Sequence, residues 1–329
     1  MSEFFLELFS EEIPSNLQKN LRENLLKSFN EFFLEKSIKF KKNSSYSTHN
    51  RLLILFEGVE KKIVLKSEEI KGPNIKSPDA ALEGFARSNG VLKKELFIKK
   101  TDKGEFYFYK TRSKKLDTHT LLEEAIPHIL NKIQWKKSMK WSNYELFWGR
   151  PLKSILCIFD KKKLNFKFHH FISSNSTFVD KEFEEKKKLF SDFKSYKNFF
   201  KKMDILIDHT ERKDLIEKKI DIILKKRNIN IDSNPKLLQE VVDLTDQPNV
   251  IVCEFDKKFL NIPKEILILT MQHHQKYFPT FDKKGNITNQ FLVVANNKDK
   301  KGLIKLGNER VVEARLSDAE FFWKKDKSQ

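Results

Sequence analysis

Residues 4–35, FFLELFSEEIPSNLQKNLRENLLKSFNEFFLE, decide how this chain folds. Phe4 to Phe9 reads as a strand, and Glu11-Glu12 follows as an acidic turn. Pro14 then falls in the first turn of a helix, where its missing N–H costs nothing because that donor has no partner there anyway. Leu17, Leu21, Leu25, Phe29 and Phe33 recur every four residues, a helical apolar stripe with polar residues between. Ser44 to Thr48 and Leu52 to Val59 read as two further strands. The opening is therefore β-α-β-β, which places the chain in the α+β class.

The same reading continues outward. Residues from Lys71 to Gly90 hold Pro73, Pro78, Gly84 and Gly90, with a short helix expected at Ala80 to Ser88. Thr101-Asp102-Lys103-Gly104 is a hairpin signal leading into the aromatic strand Phe106 to Tyr109. Leu121 to Ile133 is helical by period, and a strand-rich region runs from Phe147 through Phe168. Asp180 to Lys202 reads as helix, as does Glu211 to Lys226, where Ile216, Ile220, Ile223 and Leu224 share a side. Strands follow at Val250 to Phe255 and Phe291 to Ala295. With no repeat and no Gly/Ser linker, the expectation is a multi-lobed α+β chain of helices and antiparallel or mixed sheets. Its length of 329 residues suits two domains, 1–146 and 147–329, with a soft boundary between them.

Composition narrows the class of function. Lys and Arg number 64 against 46 Asp and Glu, a net charge of +18, which favours a polyanionic partner and above all nucleic acid. Nine of the 64 are Arg; a Lys excess of this kind also follows from AT-rich codon usage, so the charge alone supports RNA only modestly. The scarcity has a use, since the few Arg belong where a planar, bidentate fork is needed. The first residues carry Glu3 and Glu7 where a signal peptide needs a basic start and an unbroken apolar stretch. No apolar run is long enough to span a bilayer. Cys157 and Cys253 sit in apolar, strand-like segments as buried thiols, without metal or disulfide spacing. A cytoplasmic location without membrane attachment is expected.

The catalytic inventory is mostly negative. There is no G-x-x-x-x-G-K-[ST] phosphate loop, no H-E-x-x-H and no G-x-S-x-G. Lys137-Ser138-Met139-Lys140 has the wrong order for a synthetase lysine loop. His169-His170 and His273-His274 are adjacent pairs, and neighbours on a strand point to opposite faces, so neither pair suits one metal. Glu240, Asp243 and Asp246, spaced three apart, align acids along a helix face. Such a face is either a Mg²⁺ site for phosphodiester cleavage or a solvated helix edge; without a His or Lys partner at ligand spacing, the edge is favoured.

Basic and aromatic segments carry more. Met271-Gln272-His273-His274-Gln275-Lys276-Tyr277-Phe278 sets amide, imidazole, ammonium and phenol groups side by side, groups that meet phosphate, 2′-hydroxyl and base edges in RNA. Phe278 is read as core. Gly307 to Phe322 holds Arg310 and Arg315. Arg315 is read as an ion-pair partner of Asp318, while Arg310 either pairs with Glu309 or reaches a ligand.

In order, these segments resemble the β subunit of the bacterial heterotetrameric glycyl-tRNA synthetase. Glu7-Leu8-Phe9-Ser10-Glu11-Glu12-Ile13-Pro14 resembles the family's opening E-[IL]-G-T-E-E-[IL]-P, and Thr48-His49-Asn50-Arg51-Leu52 its T-P-R-R-L strand. Lys71-Gly72-Pro73, Ala81 to Arg87, Thr101 to Glu105, Met139-Lys140-Trp141 and Arg150-Pro151 continue in family order. Gln275-Lys276-Tyr277-Phe278 and Gly307 to Phe322 are the most specific segments. Phe178 to Phe183 departs from a G-H-R-F segment of the family, Glu313 stands where a basic residue is common, and Asp246-Gln247-Pro248 replaces a more acidic-aromatic version. The chain stops at Gln329, where family members continue with an HD-like helical domain and an anticodon-binding domain.

The resemblance implies a region like B3/B4 of the phenylalanyl-tRNA synthetase β chain. It also implies a chain that handles tRNA(Gly) and assembles with an α subunit, where ATP and Mg²⁺ are used. No catalytic residue, metal or cofactor is assigned to this chain. The candidate RNA contacts are Arg51, Lys71, Arg87, Arg150, Gln275, Lys276, Tyr277 and Arg310. The alternatives are a stand-alone RNA-binding protein, a scaffold for α without RNA contact, and the Mg²⁺-dependent nuclease.

Overall fold

The computed structural model describes residues 2–65, 67–111, 113–179 and 187–328. The chain forms two compact units, one built from residues 1–59 and 123–329, the other from 60–122. Mixed helices and antiparallel sheets bear out the α+β class, with one isolated parallel bridge between Leu156 and Ser174.

The opening forms as its periodicity requires: β1 (Ser2–Ser10), α1 (Ser15–Glu35), β2 (Lys42–Thr48) and β3 (Arg51–Val59). In the smaller unit, β4 (Lys62–Leu65) and β5 (Glu69–Asn74) precede α2 (Asp79–Ser88). The hairpin β6 (Leu96–Thr101) and β7 (Gly104–Lys110) turns at Gly104, whose φ of 114° suits a residue without Cβ. After β8 (Lys114–Asp117), the sheets are β4 with β8 and β5-β7-β6. Helix α3 (Thr118–Asn131) leads back into the larger unit.

There the chain adds the short strands β9 (Met139–Lys140) and β10 (Phe147–Trp148), then β11 (Leu152–Phe159) and β12 (Lys162–Lys163). The pairs β13 (Lys167–Phe168) with β14 (Phe171–Ile172) and β15 (Ser176–Phe178) with β16 (Lys187–Leu189) follow. Of the helix expected at Asp180 to Lys202, only α4 (Phe193–Lys202) is helical; residues 187–189 are strand, and 180–186 lie outside the described residues. Next come α5 (His209–Arg227), β17 (Asn230–Ile231), α6 (Pro235–Leu244), β18 (Asn249–Glu254) and α7 (Lys264–Leu269). A π-helical turn at Thr270–His274 precedes β19 (Phe278–Phe281), β20 (Ile287–Ala295) and α8 (Leu303–Lys327).

Both large sheets are covered on two faces. The first has the order β12-β11-β1-β3-β2. Successive β1 side chains point to opposite faces. Phe4 meets Phe29 and Phe33 of α1 at 5.2 and 6.1 Å, while Phe5 meets Phe193 and Tyr196 of α4 at 5.1 and 4.9 Å. This double burial explains why β1 carries apolar residues on both faces, Phe4, Leu6 and Leu8 on one and Phe5 and Phe9 on the other, each fully buried Phe contributing roughly 1.5–3 kcal/mol. The second sheet, β17-β19-β20-β18, is clamped between α5 and α6 on one side and α7 and α8 on the other. The boundary expected at 146/147 falls inside the larger unit, because Phe4 to Phe9 pair with Phe159 to Ser154 of β11. Cys157 and Cys253 are free and buried, and burial pushes the Cys253 thiol up to about 12.

His209, first residue of α5, has a buried Nδ1 without a hydrogen-bond partner. Burial first, and then the cations Arg22 and Arg212, depress its pKa to about 4. A depressed imidazole leaves the unfolded chain to take the proton first, so stability falls as pH drops from about 6.5 toward 4. Allowing for solvent screening of this partly exposed ring, His209→Gln is expected to remove roughly 1 kcal/mol of the loss between pH 7.5 and 5. Urea denaturation of both proteins at the two pH values measures it; an unchanged difference rules His209 out as the cause.

Candidate functional site

The turn after β1 is held by its backbone. Ser10 N–H donates to the Asn50 carbonyl, Glu11 N–H to that of Pro151, and Ile13 N–H to that of His49, at 2.9, 2.9 and 2.6 Å. Gln18 of α1 donates to the carbonyls of Ile13 and Asp243. These bonds place Glu11 and Glu12 beside the β2–β3 turn, the start of β11 and the end of α6.

A cavity of about 780 Å³ opens at this meeting point, wholly within the larger unit. Its polar lining comes from Glu11, Glu12, His49, Asn50, Lys153 and Asp246, with Gln247, Asn296 and Asn297. Phe9, Val179, Phe199, Met203 and Ile205 form its apolar part, and Lys187 and Lys188 also border it. Glu11 pairs with Lys153 at 2.8 Å. His49 Nδ1 lies 3.4 Å from Asp246 Oδ2 without a hydrogen bond. Burial depresses the His49 imidazole more than Asp246 raises it, so the ring is neutral near pH 7.

Beside the cavity lies a buried ionic group. Arg51 is fully buried, its Nε 3.5 Å from Glu7 Oε2. Its Nη2 donates to the carbonyls of Phe178 and Val179 at 2.5 and 3.0 Å, and its guanidinium lies over the Phe9 and Phe200 rings. Glu7 also accepts from the Thr177 and Tyr196 hydroxyls. Burial raises the Glu7 pKa, with Arg51 the largest opposing influence. A second buried fork, Arg212, donates to the carbonyls of Val242, Leu206, Ile207 and Ser47. Arg22 donates to Ser47 Oγ, tying α1 to β2.

The residues expected to touch RNA separate into three groups. Arg51 is corrected to an interior position: its fork grips Glu7 and backbone carbonyls, and no part of it reaches solvent. Tyr277 is buried too, its hydroxyl bonded to Asn308 at 2.5 Å. Phe278 is core, as read from the sequence. Lys276 and Gln275 are half-buried after the π-helical turn, and Lys276 pairs with Glu240 at 3.1 Å. Arg150 and Arg310 are exposed on the larger unit. Glu309 engages Lys305 and the Glu254 amide instead of Arg310. Lys71 and Arg87 are exposed on the smaller unit, with Lys71 Nζ 3.5 Å from the Phe106 ring centroid.

The acids at 240, 243 and 246 do not converge. Asp246 lies beyond the end of α6 and faces His49, Asp243 is buried and accepts from Gln239, and Glu240 is taken by Lys276. Among the described residues, no three His, Cys, Asp or Glu side chains are grouped to hold a metal ion. The histidine pairs are not on strands: His169, at φ 53°, bonds Asn131 and His170 stacks on Tyr144, while His273 and His274 occupy the π-helical turn. Of the departures noted at Phe178 to Phe183, residues 180–183 lie outside the described residues.

Sequence reasoning named Glu11, Glu12, His49 and Asn50 only as parts of motifs, and missed Lys153 and Asn296 entirely. The signal for Asn296 was faint: a polar pair, Asn296-Asn297, directly ending the apolar run of β20.

Comparison with known proteins draws these observations together. The family model described as glycyl-tRNA synthetase beta subunit matches residues 4–329. The chain is 38% identical to the glycine–tRNA ligase beta subunit of Rickettsia akari over 327 residues, covering 99% of this chain and 49% of that protein. It is 39% identical to the one of Rickettsia felis over 329 residues, with 99% and 49% covered. The chain thus spans about half the length of these curated relatives. A match over almost every residue, through the Glu11-Glu12 turn, both buried Arg groups and the last helix, establishes that the chain belongs to the glycyl-tRNA synthetase beta subunit family.

Proposed function

We propose that this chain is the tRNA-handling and assembly part of a glycine–tRNA ligase. The enzyme joins glycine to tRNA(Gly), converting ATP to AMP and pyrophosphate, with the chemistry, ATP and Mg²⁺ at an α subunit in the cytoplasm. The family match across residues 4–329 carries this reading. The net charge of +18 and the exposed Arg150, Arg310, Lys71 and Arg87 support an RNA partner. Each of these cations is a point at which a phosphate can be held without desolvating a buried group. Among the described residues, no helix is long and apolar enough to cross a membrane.

Division of labour makes a sharp expectation. The purified chain alone gives no glycine-dependent exchange of pyrophosphate into ATP, and it co-purifies with α when the two are expressed together. Exchange by this chain alone would overturn the assignment of chemistry to α. The joint variant Lys71→Ala, Arg87→Ala, Arg150→Ala and Arg310→Ala separates RNA handling from scaffolding: it weakens tRNA binding and retains α, whereas a pure scaffold binds RNA no differently from its variant.

A further inference from the structure

The loop between β9 and β10 meets the β13–β14 hairpin through aromatic side chains. The Trp141 indole N–H donates to the Trp148 carbonyl at 2.8 Å, which fixes the loop, and the Trp148 ring lies 5.6 Å from that of Phe168 in β13. The hairpin turn then presents His170, whose ring stacks on Tyr144 with centroids 3.5 Å and planes 11° apart. Phe171 adjoins His170 at 4.0 Å. Together with Trp141, Ser142 and Pro151, these rings line a pocket of about 180 Å³ within the larger unit.

Aromatic walls around so small a space select a planar ring. Pockets for whole small molecules run from roughly 300 Å³ upward, so this one admits a ring and leaves outside whatever carries it. Tyr144 is 48% exposed, and the nearby Phe147 and Ile172 are 62% and 75% exposed, too open for members of a closed core. Burial, and then His169, depress the His170 pKa, so its neutral imidazole supplies one donor and one acceptor to a ring edge.

Charge decides what carries the ring. Residues 131–170 hold ten Lys and Arg against Glu145 and Asp160, so eight of the chain's 18 net positive charges fall in 40 of its 329 residues. Lys153 is spent on Glu11, but Lys140, Arg150 and Lys167 are exposed, each within three residues of one that lines the pocket. Glu145, beside Tyr144, is the single acid of the β9–β10 loop. Such surroundings oppose a cationic ring such as a guanidinium and favour a base on a phosphate backbone.

Resting on the RNA-handling reading above, we infer that this pocket takes an unpaired base from an RNA strand. The base stacks against the rings of Tyr144 and His170, and its backbone stays outside among Lys140, Arg150 and Lys167. A base paired within a duplex is stacked on its neighbours and does not reach the pocket.

Fluorescence anisotropy with two 5′-labelled strands tests this: hexauridylate, and a strand of the same length built from abasic ribose units, which keeps every phosphate and loses every base. The first is expected to bind roughly 5- to 10-fold tighter. Tyr144→Ala should bring the two strands level, whereas Tyr144→Phe keeps the preference. Equal binding of both strands by the unaltered protein overturns the inference, and that comparison needs no variant to fold. A preference that survives Tyr144→Ala overturns it as well, and loss of α by that variant on co-expression would then assign the pocket to α. Displacement by free uridine at the strand's own concentration also overturns it, since a small-molecule pocket needs no backbone. Intact tRNA, titrated in parallel, separates the two claims: tRNA binding alongside equal affinity for the two strands defeats the pocket assignment alone, and no binding by any RNA defeats the RNA-handling reading with it.

Discussion

Arg51→Met is expected to destabilise the larger unit by about 3–5 kcal/mol, the range found when one member of a buried ion pair is removed. The guanidinium is fully enclosed and has Glu7, two backbone carbonyls and Asn50 as partners. Removing it strips Glu7 of its opposite charge and leaves those acceptors without a donor, in a place water does not reach. The Thr177 and Tyr196 hydroxyls continue to donate to Glu7, which limits the loss without cancelling it. Adding Glu7→Gln to Arg51→Met removes the orphaned charge, so the double variant should be more stable than the single one. Burial already raises the Glu7 pKa, and losing Arg51 raises it further. A carboxyl with a raised pKa loses stability as pH rises through that value, so the defect of the single variant should shrink toward acid pH. Urea denaturation followed by tryptophan fluorescence reads all of this, since Trp135, Trp141, Trp148 and Trp323 all belong to the larger unit. A stable Arg51→Met protein that has lost tRNA affinity would restore Arg51 to the RNA surface and refute the interior role.

Arg51 also shows how a sound sequence argument can reach the wrong address. Scarce Arg was expected where a bidentate fork is required, and the structure uses Arg51 and Arg212 for that purpose, but inside the protein. Nothing local distinguishes a fork that grips backbone carbonyls from one that grips phosphate. Arg212 stands amid Glu211, Lys213 and Asp214 in a segment that reads as a solvated helix, and only the folded chain brings Ser47 to it. The β-α-β-β opening was legible because alternation and four-residue spacing are local patterns written within a few turns of chain. The pairing of β1 with β11 was not, since more than 140 residues separate partners such as Phe5 and Ile158, and strand register between distant segments leaves no local mark. The unit boundary was lost for the same reason: the chain leaves the larger unit after Val59 and re-enters it at Glu123 inside a continuous helix, without a Gly- or Pro-rich linker to mark either crossing. The cavity assembles the β1–α1 and β2–β3 turns, the start of β11, β16, α4 and the segment after it, and the ends of α6 and β20, places that sequence order keeps apart.

If the exposed cations hold phosphates, the affinity of this chain for tRNA should collapse with salt. Each phosphate neutralised releases condensed counterions, giving a slope of about −0.7 to −0.9 in log K against log salt per contact. Lys71, Arg87, Arg150 and Arg310 are exposed. Four contacts therefore predict a loss of roughly 50- to 150-fold between 50 and 200 mM monovalent salt. Replacing one of the four by Ala should reduce the slope magnitude by roughly one unit or less and weaken binding about equally for tRNAs of different sequence, since phosphate contacts position the RNA without reading it. Lys276 makes a contrasting control, because its ammonium is engaged with Glu240 and must leave that partner to reach phosphate. Its replacement should change the slope less than replacement of Arg150 or Arg310. Titrations of labelled tRNA at four or five salt concentrations give the slope directly. A flat response would mean that the 64 Lys and Arg of this chain are a product of codon usage, with the surface making no phosphate contact. A steep response left unchanged by all four substitutions would move the RNA contact to other cations while leaving the electrostatic mechanism in place.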